Sequence, residues 1–192
     1  MGGLTDLPFL TASISGGLDK SGIPHAISGA AAMAAHGYVR ATQDLDVLVV
    51  TTATRLPEVF ALIRDQGFLG EDRELLESLR DRYVAELTRG PVRVEVLVPV
   101  LPYHHTLVDR AIRIDVGGRE VPFVSIEDLV VLKLLWHRAK DVPDIQALLS
   151  LAGGNFDADY ARATLDAILP EADPRHGELQ AFVRRFTGPD ED

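Results

Sequence analysis

Two aspartates one residue apart, Asp44 and Asp46, stand at the head of the run Leu45-Asp46-Val47-Leu48-Val49-Val50, whose composition predicts a strand stopped by Thr51-Thr52. Period-two alternation sends both carboxylates to one face and Leu45 and Val47 to the other. Two like charges held side by side are unfavourable unless a cation bridges them. Hard oxygen ligands suit Mg²⁺ or Mn²⁺, ions that also take phosphate oxygens from a substrate. Alone, such a pair is more often a solvated strand end. A second acid in a similar setting shifts that balance. Glu95 interrupts Val92-Arg93-Val94-Glu95-Val96-Leu97-Val98, a run that otherwise asks for burial. It reads either as a charge on a solvent face beside Arg93, or as a third metal ligand from an adjacent strand, completing a triad for in-line phosphoryl transfer.

Phosphate-binding candidates lie on either side. Ser28-Gly29-Ala30 falls where a strand meets a helix start, where free backbone N–H groups favour phosphate and small residues allow close approach. Lys133 and Arg138 are cations on a helix built largely from Leu129, Val130, Val131, Leu132, Leu134, Leu135 and Trp136. A lysine there either snorkels to solvent or serves a phosphate. His104-His105 reads as a surface loop, because adjacent residues on an extended segment point oppositely and no third ligand is near in sequence.

The elements that must position these residues follow from pattern. Pro24 to Ser28 predicts a short strand, and the alanine-rich run after Gly29 a helix packed closely on a sheet and ended by Gly37. Leu56 to Asp65 has helical spacing, as does Leu75 to Arg80. Tyr83 to Leu87 with Val92 to Val98, and Ile112 to Val116 with Val121 to Val124, predict two hairpins. Residues 12–22, rich in Ser and Gly, predict a loop holding at most a frayed helical turn. Ser125 with Asp128 forms a capping box opening a helix from Ile126 to about Lys140, and Pro143 starts another through Leu149. Asp157 to Leu169 and His176 to Phe186 predict two more helices. The fold class expected is α/β in the α+β sense: a mixed sheet flanked by helices over residues 1–124, and a C-terminal helical region over 125–192 completing the active-site cleft.

Composition narrows the function. The 192 residues carry a net charge of −10, which argues against a broad nucleic-acid-tracking surface but leaves room for a local basic pocket. The absence of cysteine excludes disulfides and thiolate zinc sites and suits a cytoplasmic location. Met1 to Leu10 lacks a basic, apolar leader pattern, and no stretch has the length of a membrane span. The acidic end Pro189 to Asp192 reads as a frayed tail.

In order and spacing, Ser28-Gly29-Ala30, His36-Gly37, Arg40-x-Thr42-x-Asp44-x-Asp46, Glu95, Lys133-x4-Arg138 and Lys140-Asp141-x-x-Asp144 resemble the minimal nucleotidyltransferases of the AbiEii toxin type over roughly residues 23–150. The resemblance implies the nucleotidyltransferase fold of the DNA polymerase β superfamily, with NTP, ATP included, as donor. It implies Asp44, Asp46 and Glu95 as ligands of Mg²⁺ or Mn²⁺, and these three with Lys133 and Arg138 as the catalytic set. Ser28, Gly29, Ala30, Arg40, Thr42, Lys133, Asp141 and Asp144 would bind the nucleotide. Ala30 stands where a serine is common and Glu95 where Asp is more usual, so a catalytically silent nucleotide-binding or protein-interaction module is the alternative. The implied reaction moves an NMP to a hydroxyl of RNA, such as tRNA, or of a protein. A cognate antitoxin is the implied partner, and no membrane is involved.

Overall fold

The computed structural model describes residues 7–187, so the first residues of the leader reading and the acidic tail at 189–192 lie outside the described residues. The chain divides into two compact units: Met1–Ala35 with Arg40–Val124, and His36–Val39 with Ser125–Asp192.

The first unit is built on a six-stranded sheet in the order β3-β4-β2-β1-β6-β5. Its strands are β1 (His25–Ile27), β2 (Asp44–Val49), β3 (Val84–Arg89), β4 (Val92–Leu97), β5 (Ile112–Asp115) and β6 (Glu120–Phe123). β1 runs antiparallel to β2 and parallel to β6, while β2 and β4 are parallel, so the sheet is mixed. Both expected hairpins form, β3 with β4 around Gly90-Pro91 and β5 with β6. The helices of this unit are α1 (Leu7–Lys20), α2 (Gly29–Ala35), α3 (Leu56–Arg64), α4 (Asp72–Arg82) and α5 (Tyr103–Asp109).

Two of these helices correct the sequence reading. Residues 12–22 are mostly α1, not loop, because Leu10, Ile14 and Leu18 recur every four residues and all are buried. Burial of that stripe outweighs the poor intrinsic propensity of Ser and Gly. Gly17 even helps: a Cβ there would press on Leu62 Cδ2 at 3.2 Å, so the small residue lets α1 lie close to α3. α1 is also tied to β1 through His25, whose Nδ1 is 3.0 Å from the Ile23 carbonyl and whose Nε2 is 2.8 Å from Ser15 Oγ. A carbonyl only accepts, so Nδ1 carries the proton and Nε2 accepts from the serine, the neutral form that burial favours by lowering the histidine pKa. The second correction concerns His104-His105, which lies in α5 rather than on an extended segment. His104 Nδ1 there accepts the backbone N–H groups of Val100 and Leu101, anchoring the turn that enters the helix.

The second unit holds α6 (Ile126–Trp136), α7 (Asp141–Ala152), α8 (Ala158–Ile168) and α9 (Pro174–Phe186). Ser125 caps α6 as expected, its Oγ accepting from Asp128 N–H at 3.1 Å and donating to Asp128 Oδ2 at 2.9 Å. Asp128 is fully buried, and Tyr160 of α8 donates its hydroxyl to the other carboxylate oxygen at 2.7 Å. α6 stops at Trp136, short of Lys140, because His137 turns left-handed (φ 49°) and its N–H returns to the Lys133 carbonyl. α7 begins at Asp141, placing Pro143 in a first turn whose N–H groups need no helical partner.

Candidate active site

Register decides what the acids can do. β2 and β4 pair so that Asp44 lies opposite Arg93 and Asp46 opposite Glu95. Along β2, Asp44 and Asp46 are half-buried on one face while Leu45 and Val47 are buried on the other. The two-residue β3–β4 turn then sets Glu86 opposite Glu95. Asp46, Glu95 and Glu86 therefore form one row of carboxylates across three strands. Glu86 was missed in the sequence, although the register of a short hairpin points to it.

The electrostatics follow from that crowding. Burial pushes the Glu95 pKa up to about 7, helped by the Asp46 carboxylate, by a hydrogen bond shared with it, and by Asp44, while Arg93 opposes the shift. Asp44 is held differently. Arg93 grips it bidentately, Nε to Oδ1 at 2.7 Å and Nη2 to Oδ2 at 2.8 Å, and lies 3.7 Å from Glu86. Thr42 secures the start of the strand, its Oγ1 accepting the Asp44 N–H at 3.1 Å. Arg40 is exposed just upstream.

The turn into α2 comes up against the same carboxylate. Ser28 donates its N–H to the Asp46 carbonyl at 2.9 Å, and the next residue, Gly29, is left-handed at φ +58°. A Cβ on Gly29 would overlap Asp46 Oδ2, so glycine is required twice over, for its backbone angle and for the space. Ala30 follows, buried in the first turn of α2.

Whether these residues fit a divalent cation can be judged from the donor set. Among the described residues no three acids or histidines converge as a ready cage, and the Asp44 carboxylate is turned onto Arg93. Asp46 and Glu95 do fit: two crowded carboxylates, one holding its proton to near neutrality, are hard oxygen donors short of positive charge. Asp44 joins them only by loosening Arg93.

The remaining candidates cluster within the helical unit. Lys133 is buried, with Nζ 2.5 Å from Asp144 Oδ2 and 3.5 Å from Asp141 Oδ1, so it does not snorkel to solvent. Burial alone would raise the Asp141 pKa, but bonds from the Arg138 side chain at 2.8 and 3.1 Å and its backbone N–H at 3.0 Å, with Lys133 nearby, hold it below the ordinary value. Lys140, the residue before α7, is exposed.

Residues 19–159 match the model of a family described as "Nucleotidyltransferase of unknown function (DUF6036)". No curated protein matches the sequence. Among solved structures, the solution structure of the antibiotic-resistance factor ANT(2'')-Ia shares 16% identity over 94% of this chain and 98% of that one, with a TM-score of 0.58. An antigenic nucleotidyltransferase-like protein from Paracoccidioides brasiliensis shares 17% over 93% of this chain and 92% of its own, at 0.54. The crystal structure of ANT(2'')-Ia in complex with adenylyl-2''-tobramycin shares 18% over 95% and 99%, at 0.50. At these identities the likeness is one of fold, and it bears out the mixed sheet flanked by helices expected from the sequence.

Proposed function

Because the chain belongs to this DUF6036 nucleotidyltransferase family, we propose that it transfers the nucleoside monophosphate of an NTP to a hydroxyl acceptor at the row of acids on β2 and β4. The observation that carries the reading is the Asp46 carboxylate, packed against Gly29 at the strand–helix turn and paired in register with Glu95. That arrangement sets a turn of small residues beside two crowded carboxylates. In the reaction the acceptor hydroxyl gives up its proton to solvent as its oxygen attacks the α-phosphorus, a new P–O bond forms, the bond from the α-phosphorus to the α,β-bridging oxygen breaks, and pyrophosphate leaves. Asp46 and Glu95, with Asp44 once Arg93 loosens, are the residues to hold Mg²⁺ or Mn²⁺. The ion would neutralise phosphate charge and make the acceptor hydroxyl more acidic. Gly29 and Ala30 supply backbone to the phosphates, and Arg40 and Thr42 border the strand at that end. Lys133, Arg138, Asp141 and Asp144 form the ion network assigned to the nucleotide from the helical unit.

The acceptor that the charges favour is a protein hydroxyl rather than tRNA. Of the basic residues available for RNA phosphates, Arg93, Lys133 and Arg138 are already held by carboxylates. In ANT(2'')-Ia an adenylyl group is found on tobramycin, so a protein of this fold carries a nucleotidyl product on an acceptor other than RNA. The likeness to AbiEii toxins extends the reading to a growth-arresting activity in the cytoplasm, held in check by a cognate antitoxin.

The test is incubation with each α-labelled NTP and Mg²⁺ in cell lysate. Label should appear on protein, and Asp46→Asn should abolish it. Label on RNA would overturn the acceptor. No label anywhere would favour the silent module, for which the Arg93 grip on Asp44 is the supporting observation.

A further inference from the structure

Away from the acids, the helical unit carries a cavity of about 390 Å³ along α8 and α9, a volume within the range of small-ligand sites. Its floor is apolar: Leu179 and Val183 from α9, and Ala158 from α8. Its rim is basic and polar, with Arg162 from α8 and His176, Gln180 and Arg184 from α9. On α9 the polar three recur every four residues, and Leu179 and Val183 form the adjacent row. The helix thus presents a polar edge beside an apolar one over roughly 12 Å.

Charge gives the cavity its direction. In a chain with 29 acidic and 19 basic residues, no acid among the described residues lines it, and Asp159 and Asp166 reach it only through Arg162 and His176. Arg162 is tied by one nitrogen to Asp159, itself 93% exposed, at 3.1 Å, an arrangement that leaves most of its donors for a ligand. Arg184 makes no ion pair among the described residues. At the other end His176 is fixed, Nε2 3.1 Å from the Pro170 carbonyl, while its buried Nδ1 lies 3.2 Å from Asp166 Oδ1 without forming a hydrogen bond. Two guanidinium groups over an apolar floor match a ligand with an anionic head and an apolar body.

We propose that the α8–α9 cavity is a binding site for a small organic anion, a carboxylate, sulfonate or phosphate attached to an apolar group, independent of the nucleotidyl-transfer reading. The probe is 1-anilinonaphthalene-8-sulfonate, with N-phenyl-1-naphthylamine as the same body lacking the charge. Fluorescence titration of the full chain should show saturable binding of the sulfonate at one site. Arg162→Gln with Arg184→Gln should weaken it by about tenfold or more, with the melting temperature unchanged because both side chains are on the surface. Leu179→Ala reports on the floor and should weaken both probes. Mg²⁺-ATP should not displace the sulfonate. Non-saturable binding, equal affinity for the neutral probe, insensitivity to the double substitution, or displacement by Mg²⁺-ATP would each overturn the proposal.

Discussion

A carboxyl group that holds its proton to about pH 7 makes the site answer to both pH and cations. The folded-state pKa of Glu95 is raised above its ordinary 4.5, so its contribution to stability is fully present below 4.5 and is lost as pH rises through about 7. Asp46→Asn removes the main charged neighbour. Without divalent ions, this variant should melt higher than wild type at about pH 8 and nearly equal to it at about pH 5, by calorimetry. An equal shift at both pH values would mean that the two carboxylates do not interact. The same proton competes with metal. Mg²⁺ binding, followed by calorimetry in buffers of different ionisation enthalpy, should weaken as pH falls below about 7 and release protons near neutrality. Glu95→Gln should abolish that proton release. The shared face of Asp44 and Asp46 was legible from spacing alone. The Arg93 grip on Asp44 was not, because it depends on which strand lies beside β2 and in what register.

Elements were legible where a local signal was strong. The Ser125 cap, the two hairpins and the strand–Gly29–helix turn each rest on a few neighbouring residues. α1 was not, because its propensity is poor and its stability comes from a buried stripe packed on the sheet. Side-chain pairs between helices were equally hidden, and two of them carry predictions. Tyr160→Phe takes one donor from the buried Asp128 carboxylate and should destabilise the protein by about 1–3 kcal/mol in urea unfolding. A cost near zero would show that water replaces the tyrosine. Lys133→Met leaves the buried carboxylates of Asp144 and Asp141 without their shared cation, so it should destabilise by about 3–5 kcal/mol. A variant of unchanged stability would mean that the buried lysine adds nothing net to the fold.

Across the whole molecule the charge is −10, so what its cations are already bound to bears on which acceptor it can take. RNA phosphates would call on Arg40, Arg93, Lys133, Arg138 and Lys140, but ion pairs within each unit engage Arg93, Lys133 and Arg138 with carboxylates, which no spacing could reveal. Each phosphate contact made by a cation releases counterions, so RNA binding leaves a salt slope, and a protein acceptor of no particular charge does not. Affinity for total tRNA, measured over a series of salt concentrations, should be weak even at low salt, with a shallow slope. Arg40→Gln and Lys140→Gln test two of those cations, both of them exposed. If tRNA is the acceptor after all, binding will be tight at low salt, and each substitution will flatten the slope by about one unit. If a protein hydroxyl is the acceptor, Lys140→Gln will keep its transfer of label to protein, and neither substitution will change the salt slope of tRNA binding.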